Sequence, residues 1–207
     1  MHDGAENLCR EITETDMDIK KIVIISGSPK QDGNTAALVE WFCESARSAG
    51  AVTEVINAAG LDGNAGCISC RACQKQETYG CVLKDGISSA VGKMIGADVI
   101  IMATPLYFFS ASAQIKSVVD RMFSLYKWDN DAGAMKTILQ GKTFGLLASA
   151  YEDIGLDALE KPFKLTADYS AMKYASLLIS NAGISGNIRE IPGVREKVTA
   201  FSKKVLM

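Results

Sequence analysis

Lys21–Thr35, KIVIISGSPKQDGNT, joins a β-branched apolar run to a turn of Gly, Ser, Pro and Asn and then to a helical pattern. The run KIVIIS has no polar alternation, which marks a strand buried on both faces of a parallel sheet. Asn34–Ser48 follows with Leu38, Trp41, Phe42 and Ala46 along one side, and Asn34 is a favoured residue type for capping a helix start. A strand leading through a short loop into a helix is the opening unit of an α/β fold. The alternation continues down the chain. Residues 51–56 suit a strand near the sheet edge, 87–95 a helix, 98–103 (DVIIMA) a second central strand, 112–126 a helix, and 142–150 (KTFGLLASA) a strand. A fourth helix is expected to reach about Met172, with Pro162 in its first turn, where a missing N–H does no harm. Tyr174–Ser180 reads as the last strand, and from about Gly193 a helix sets Val194, Val198, Phe201 and Val205 on one face. The reading is one α/β domain over 21–207, a doubly wound five-stranded parallel sheet in the order 2-1-3-4-5.

Composition narrows the function. The 207 residues carry a net charge of −2 with 22% charged residues, a balance that offers nothing to nucleic acid or a membrane surface. No apolar run has the length of a membrane span, and residues 1–20 form an acidic lead-in without the basic and apolar regions of a secretory signal. Six cysteines in such a chain point to a reducing, cytoplasmic setting and to metal or redox use. Of these, Cys43 falls on the first helix and reads as packing, while Cys9 stands apart in the lead-in. The only histidine is His2, so a histidine-based triad or a histidine-ligated metal has no support.

Four cysteines lie within fifteen residues, CISCRACQKQETYGC, giving Cys67, Cys70, Cys73 and Cys81 the pattern C-x2-C-x2-C-x7-C in a loop at about 61–86. Closely spaced thiolates can converge on an iron–sulfur cluster, and a C-x2-C-x2-C run resembles the one that holds a [4Fe–4S] cubane. Zinc accepts four cysteines too, though zinc ribbons split them into two distant pairs. A loop with no metal is the third reading. All three stay open on the residues alone.

The turn after the first strand, Ser26–Thr35, offers hydroxyls, Lys30 and the free amides of a helix start, a combination that suits a phosphate. It is not a Walker A loop, because Asn34 stands where the lysine belongs, and it lacks G-x-G-x-x-G. An ordinary Gly/Pro/Ser turn is the plain alternative.

GSPKQDGNT after the first strand, the cysteine loop ending in CVLKDG, ATPLYFFSAS after the third strand, and IKSVVDRMFSLY beyond it together resemble the NADPH-dependent FMN reductase family, and within it the iron–sulfur flavoproteins. The motifs cover about residues 21–126, and the rest follows by element order. The resemblance implies a flavodoxin-like fold, non-covalent FMN with NAD(P)H as donor, a [4Fe–4S] cluster on the four cysteines, and a homodimer or homotetramer with the flavin near the subunit interface. It places Ser28, Lys30, Asn34 and Thr35 at the phosphate, and Pro105, Leu106, Tyr107 and Phe108 along the isoalloxazine ring. Ser149, Ala150 and Tyr151 follow as a third wall on topology. One departure is Asp85-Gly86, where many relatives carry two consecutive acidic residues. Asp120-Arg121 matches the family's helix, with an ion pair there expected to be structural. Trp41 and Trp128 are both expected to pack.

No catalytic side chain is expected, because the flavin would carry the chemistry. Two classes of function follow: an NAD(P)H-dependent oxidoreductase of flavins or quinone-type acceptors, and an electron-transfer protein drawing single electrons from ferredoxin. An interaction module without cofactor is a third.

Overall fold

The computed structural model describes residues 19–63 and 65–207. Most of the acidic lead-in, with His2 and Cys9, therefore lies outside the described residues. Strands β1 (Lys21–Ser26), β2 (Val52–Asn57), β3 (Val99–Pro105), β6 (Thr143–Ser149) and β7 (Lys173–Ile179) form one sheet in the order β2-β1-β3-β6-β7. All its pairings are parallel. This is the flavodoxin-like order that the sequence predicts. The labels β4 (Tyr126–Asp129) and β5 (Ala134–Thr137) belong to a separate antiparallel hairpin.

Side chains alternate along β1, so its two faces feed two cores. Ile22 and Ile24 pack with α1 (Asn34–Ser48) and α5 (Val194–Leu206), where Phe42 and Phe201 meet at 5.9 Å between ring centroids. Val23 and Ile25 pack with α2 (Gly86–Lys93), α3 (Ala113–Arg121) and α4 (Leu156–Tyr169) on the opposite face. That two-sided burial is why the run Ile22–Ile25 is unbroken and apolar. β2 lies at the edge and is largely exposed, as its alternating sequence suggests.

Four local expectations are corrected. The helix expected over 112–126 ends at Arg121, passes through a 3-10 turn at Met122–Leu125, and gives way to β4. The reason lies downstream: Tyr126, Lys127 and Trp128 pair with Thr137, Lys136 and Met135, and the Asp129 side chain accepts from the amides of Asp131 and Ala132 to form the turn. Trp128 is more than half exposed on that hairpin and does not pack, whereas Trp41 is buried as expected. Pro162 sits inside α4, which begins at Leu156 behind an αL Gly155 with no side-chain cap. A proline in the second turn forfeits one backbone hydrogen bond, and the absence of a capping side chain hides the true start. Asn34 is the first residue of α1 and caps nothing; the cap position is Gly33, in extended conformation.

Phe42 is fully buried between α1 and α5, so Phe42→Ala is expected to lower stability by about 3–5 kcal/mol, measurable by urea denaturation.

Candidate functional site: a phosphate-ready cleft and a docked cysteine loop

The carboxyl ends of β1, β3, β6 and β7 open into a cavity of about 330 Å3, within the size range of cofactor pockets. Its lining includes Ser28, Lys30, Asn34, Thr35, Pro105, Leu106, Tyr107, Ser149, Ala150 and Tyr151, so ten of the eleven residues expected to bind the cofactor share one wall. Phe108 does not. It is 98% exposed, with a positive φ of 45°, followed by Phe109 at φ 63°. Two consecutive bulky residues in the left-handed region carry backbone strain. Gly183, Ile184 and Ser185, from the loop after β7, complete the lining. Sequence reasoning passed over them; the signal was their place beyond a strand's carboxyl end, where such folds bind ligands.

The loop after β1 is fixed by close approach. A side chain on Gly27 would lie 2.3 Å from Ile115 Cγ1 and 2.5 Å from Ser112 Oγ, so only glycine lets the loop run this close to α3. Gly27 N–H donates to Ala103 O at 2.8 Å, and Lys30 N–H to Ser28 Oγ at 3.2 Å. No side chain caps α1, leaving its first-turn amides as donors facing the cavity end.

Asn34 lines the cavity and also bonds the loop after β7. Its Nδ2 lies within 3.2 Å of the carbonyls of Ala182, Gly183 and Ile184, and its Oδ1 accepts from the amides of Gly186 and Ile188. One amide thereby clamps the loop after β7 against the start of α1. Both ends of the side chain are committed to that clamp.

The cysteine loop forms a second centre. Cys67, Cys70, Cys73 and Cys81 line one small cavity with Arg121, Phe123 and Ser124. Cys67 and Cys70 face solvent, Cys73 is buried and Cys81 half-buried. Among the described residues, no three Cys, His, Asp or Glu side chains converge on a single-ion site. Zinc at ~2.3 Å from each sulfur requires such convergence, whereas a cubane takes each thiolate at a different iron. Four soft donors around one cavity have the chemistry that an iron–sulfur cluster or a zinc ion would take.

Arg121 organises this centre. Its side chain is 2% exposed and donates from Nε to Gly66 O, from Nη1 to Cys81 Sγ and Ser88 Oγ, and from Nη2 to Ala65 O and Asp85. Asp85 caps α2 through the Ser88 amide at 2.8 Å. Burial alone pushes the Asp85 carboxyl up, but the Ser88 hydrogen bonds and the Arg121 guanidinium outweigh it and hold it below its ordinary value. Burial likewise pushes the Cys81 thiol up, and Ser88, the Leu83 backbone and Arg121 together bring it down toward thiolate. The ion pair expected at Asp120-Arg121 does not form between those two residues: Arg121 pairs with Asp85, and Asp120 with Lys116.

A family model described as NADPH-dependent FMN reductase matches residues 20–178. An iron–sulfur flavoprotein of Methanocaldococcus jannaschii is 38% identical over 101 residues, 49% of this chain and 51% of the relative. The match thus spans about half the length of that curated relative. Among solved structures, an FMN-dependent NADH-azoreductase from Bacillus anthracis, in complex with FMN, superposes with a TM-score of 0.68 at 14% identity, covering 91% of this chain and all of the other. An NAD(P)H:quinone oxidoreductase from Methanothermobacter marburgensis gives a TM-score of 0.62 at 14% identity, covering 91% and 98%. At these identities the two structures speak to the fold alone.

Asn34→Ala is expected to release the loop after β7, with the Gly186 and Ile188 amides exchanging at least tenfold faster in hydrogen-exchange measurements. Asp85→Ala strands the Arg121 charge in the interior and is expected to cost about 3–5 kcal/mol, measurable by urea denaturation.

Proposed function

The chain belongs to the NADPH-dependent FMN reductase family, and from that premise we propose that it is an FMN-dependent redox protein of the iron–sulfur flavoprotein kind. The observation that carries this reading is the coexistence of two centres on one chain: a cofactor-sized cleft ending at an uncapped helix, and four cysteines around one cavity. Bound FMN would supply hydride and single-electron chemistry, which explains why the cleft needs no acid–base pair.

The chain's own residues do the holding. Ser28, Lys30, Thr35 and the free amides of α1 receive the phosphate, Lys30 adding positive charge. Asn34 fixes the opposite lip. Pro105, Leu106 and Tyr107 follow β3 along the ring, and the Leu106 amide donates to Ser149 O at 2.9 Å, so this wall and the third wall are bonded to each other. Ala150 and Tyr151 receive the loop after β7 through the amides of Ala182 and Gly183. The exposed aromatics Phe108 and Phe109 stand outside the cleft, where a second copy in a homodimer or homotetramer would cover them.

Cys67, Cys70, Cys73 and Cys81 would hold a [4Fe–4S] cluster. The donor is NAD(P)H in the oxidoreductase reading, with a flavin or quinone-type acceptor. The solvent-facing Cys67 and Cys70 favour a second reading, in which ferredoxin docks there and passes single electrons through the cluster to FMN. Among the described residues no helix is long and apolar enough to cross a membrane, and the cysteine usage accords with a cytoplasmic setting.

Protein purified without oxygen is expected to show flavin absorbance above a broad brown background, with about four iron and four sulfide per chain. A colourless protein that ignores added FMN would end the proposal. Bleaching by NADPH within the mixing time supports the oxidoreductase, and rapid reduction only by ferredoxin supports the electron carrier. Cys70→Ser is expected to abolish iron and sulfide while FMN stays bound; full iron in that variant would remove the cysteines from the cluster.

A further inference from the structure

Lys127 is 8% exposed, on the inner strand of a hairpin that the five-stranded sheet does not need. Its ammonium donates to the carbonyls of Cys73 and, at 2.8 Å, Gln76, and lies 5.9 Å from the centroid of the Tyr79 ring. Among the described residues no carboxylate comes within ion-pairing distance of it. Burying an ammonium against neutral carbonyls is unfavourable unless an anion stands nearby. The other buried cation of this centre, Arg121, has one carboxylate, Asp85. Two interior cations thus face the cysteine loop with a single carboxylate between them.

We propose that Lys127, with Arg121, is a cationic frame that balances the negative charge of a four-thiolate cluster and sets its reduction potential. The proposal rests on the cluster reading above. A cluster bound by four thiolates is anionic and gains a further negative charge on reduction, so a fixed cation near its inner edge favours the reduced state. Hydrogen bonds to the sulfurs act in the same direction: Arg121 donates to Cys81 Sγ at 3.1 Å, and Gln74 Nε2 lies 3.7 Å from Cys73 Sγ while also donating to Tyr126 O at 2.9 Å. The hairpin gains a purpose from this arrangement. It delivers Lys127 beneath the Cys73–Gln76 turn, a position that no element of the parallel sheet reaches. Lys127 is a positioning and charge-balancing residue, with no contact to the cleft.

The test is a spectroelectrochemical titration of the anaerobically purified holoprotein and of its Lys127→Gln and Lys127→Arg variants, with iron, sulfide and FMN quantified on each. Lys127→Gln keeps a donor for the loop carbonyls and removes the charge. Its cluster is expected to be harder to reduce by about tenfold in the one-electron equilibrium, a fall of 59 mV in midpoint potential, at unchanged FMN content. Lys127→Arg is expected to restore the wild-type potential. A purely structural lysine would lower iron content in Lys127→Gln and leave the potential of the remaining cluster unmoved, and that result overturns the proposal. Should Lys127→Gln hold too little iron to titrate, Lys127→Met, which keeps an unbranched stem and removes the charge, decides by the same readout: a potential unchanged from wild type overturns the proposal. Wild-type protein that holds FMN but no iron under any reconstitution overturns the cluster reading and this proposal with it, whereas a full cluster with an immovable potential overturns this proposal alone.

Discussion

A guanidinium removed from water must satisfy all five of its N–H groups inside the protein, and the way Arg121 does so fixes the geometry of everything around the cysteine loop. One donor goes to Gly66, two to Cys81 and Ser88, and two to Ala65 and Asp85. These partners are the two mouths of the loop and the first turn of α2. The loop therefore closes on the end of α3, and a long polar excursion becomes a docked element. Further bonds complete the seat, from Gly80 N–H to Ser124 O and from Gln74 to Tyr126 O.

The cleft depends on a different economy. Gly27 lets the first loop approach α3, the absence of a cap leaves helix amides available, and Asn34 turns from the helix start to hold a loop some 150 residues away in sequence. These devices are local and polar, and they rest on a sheet whose central strands are apolar along most of their length and buried. The division of labour is typical of doubly wound folds: a rigid buried sheet fixes where the strand ends lie, and the loops beyond them carry the chemistry.

Much of this was legible in the chain. Strands buried on both faces announce themselves as unbroken apolar runs, so β1, β3 and β6 were found with their boundaries nearly intact. The residues after β1 and β3 were legible through the motifs that resemble the family, and Ser149, Ala150 and Tyr151 through their place beyond a strand end, whereas Gly183, Ile184 and Ser185 were not. What escaped were features decided by pairing at a distance. Met122–Leu125 has an apolar spacing that continues the preceding helix, and only the pairing of Tyr126–Asp129 with Ala134–Thr137 settles where that helix ends. Asn34 is a favoured cap residue, but the carbonyls of the loop after β7 compete for its amide and win. Pro162 was misplaced because α4 starts without a capping side chain to mark it.

The fold class, the buried strand that anchors it, the turn after that strand and the spacing of the four cysteines can all be read in contiguous residues, because apolar runs and close spacing are properties of neighbouring positions; what the turn and the cysteines hold is not fixed by spacing. Only the tertiary structure decided that Arg121 and Lys127 are interior cations serving the cysteine loop, that the loop after β7 closes the cleft, and that Phe108 stands outside it. The physical reason is that burial and charge pairing belong to no single residue: a lysine reads as a surface residue until the chain is folded around it.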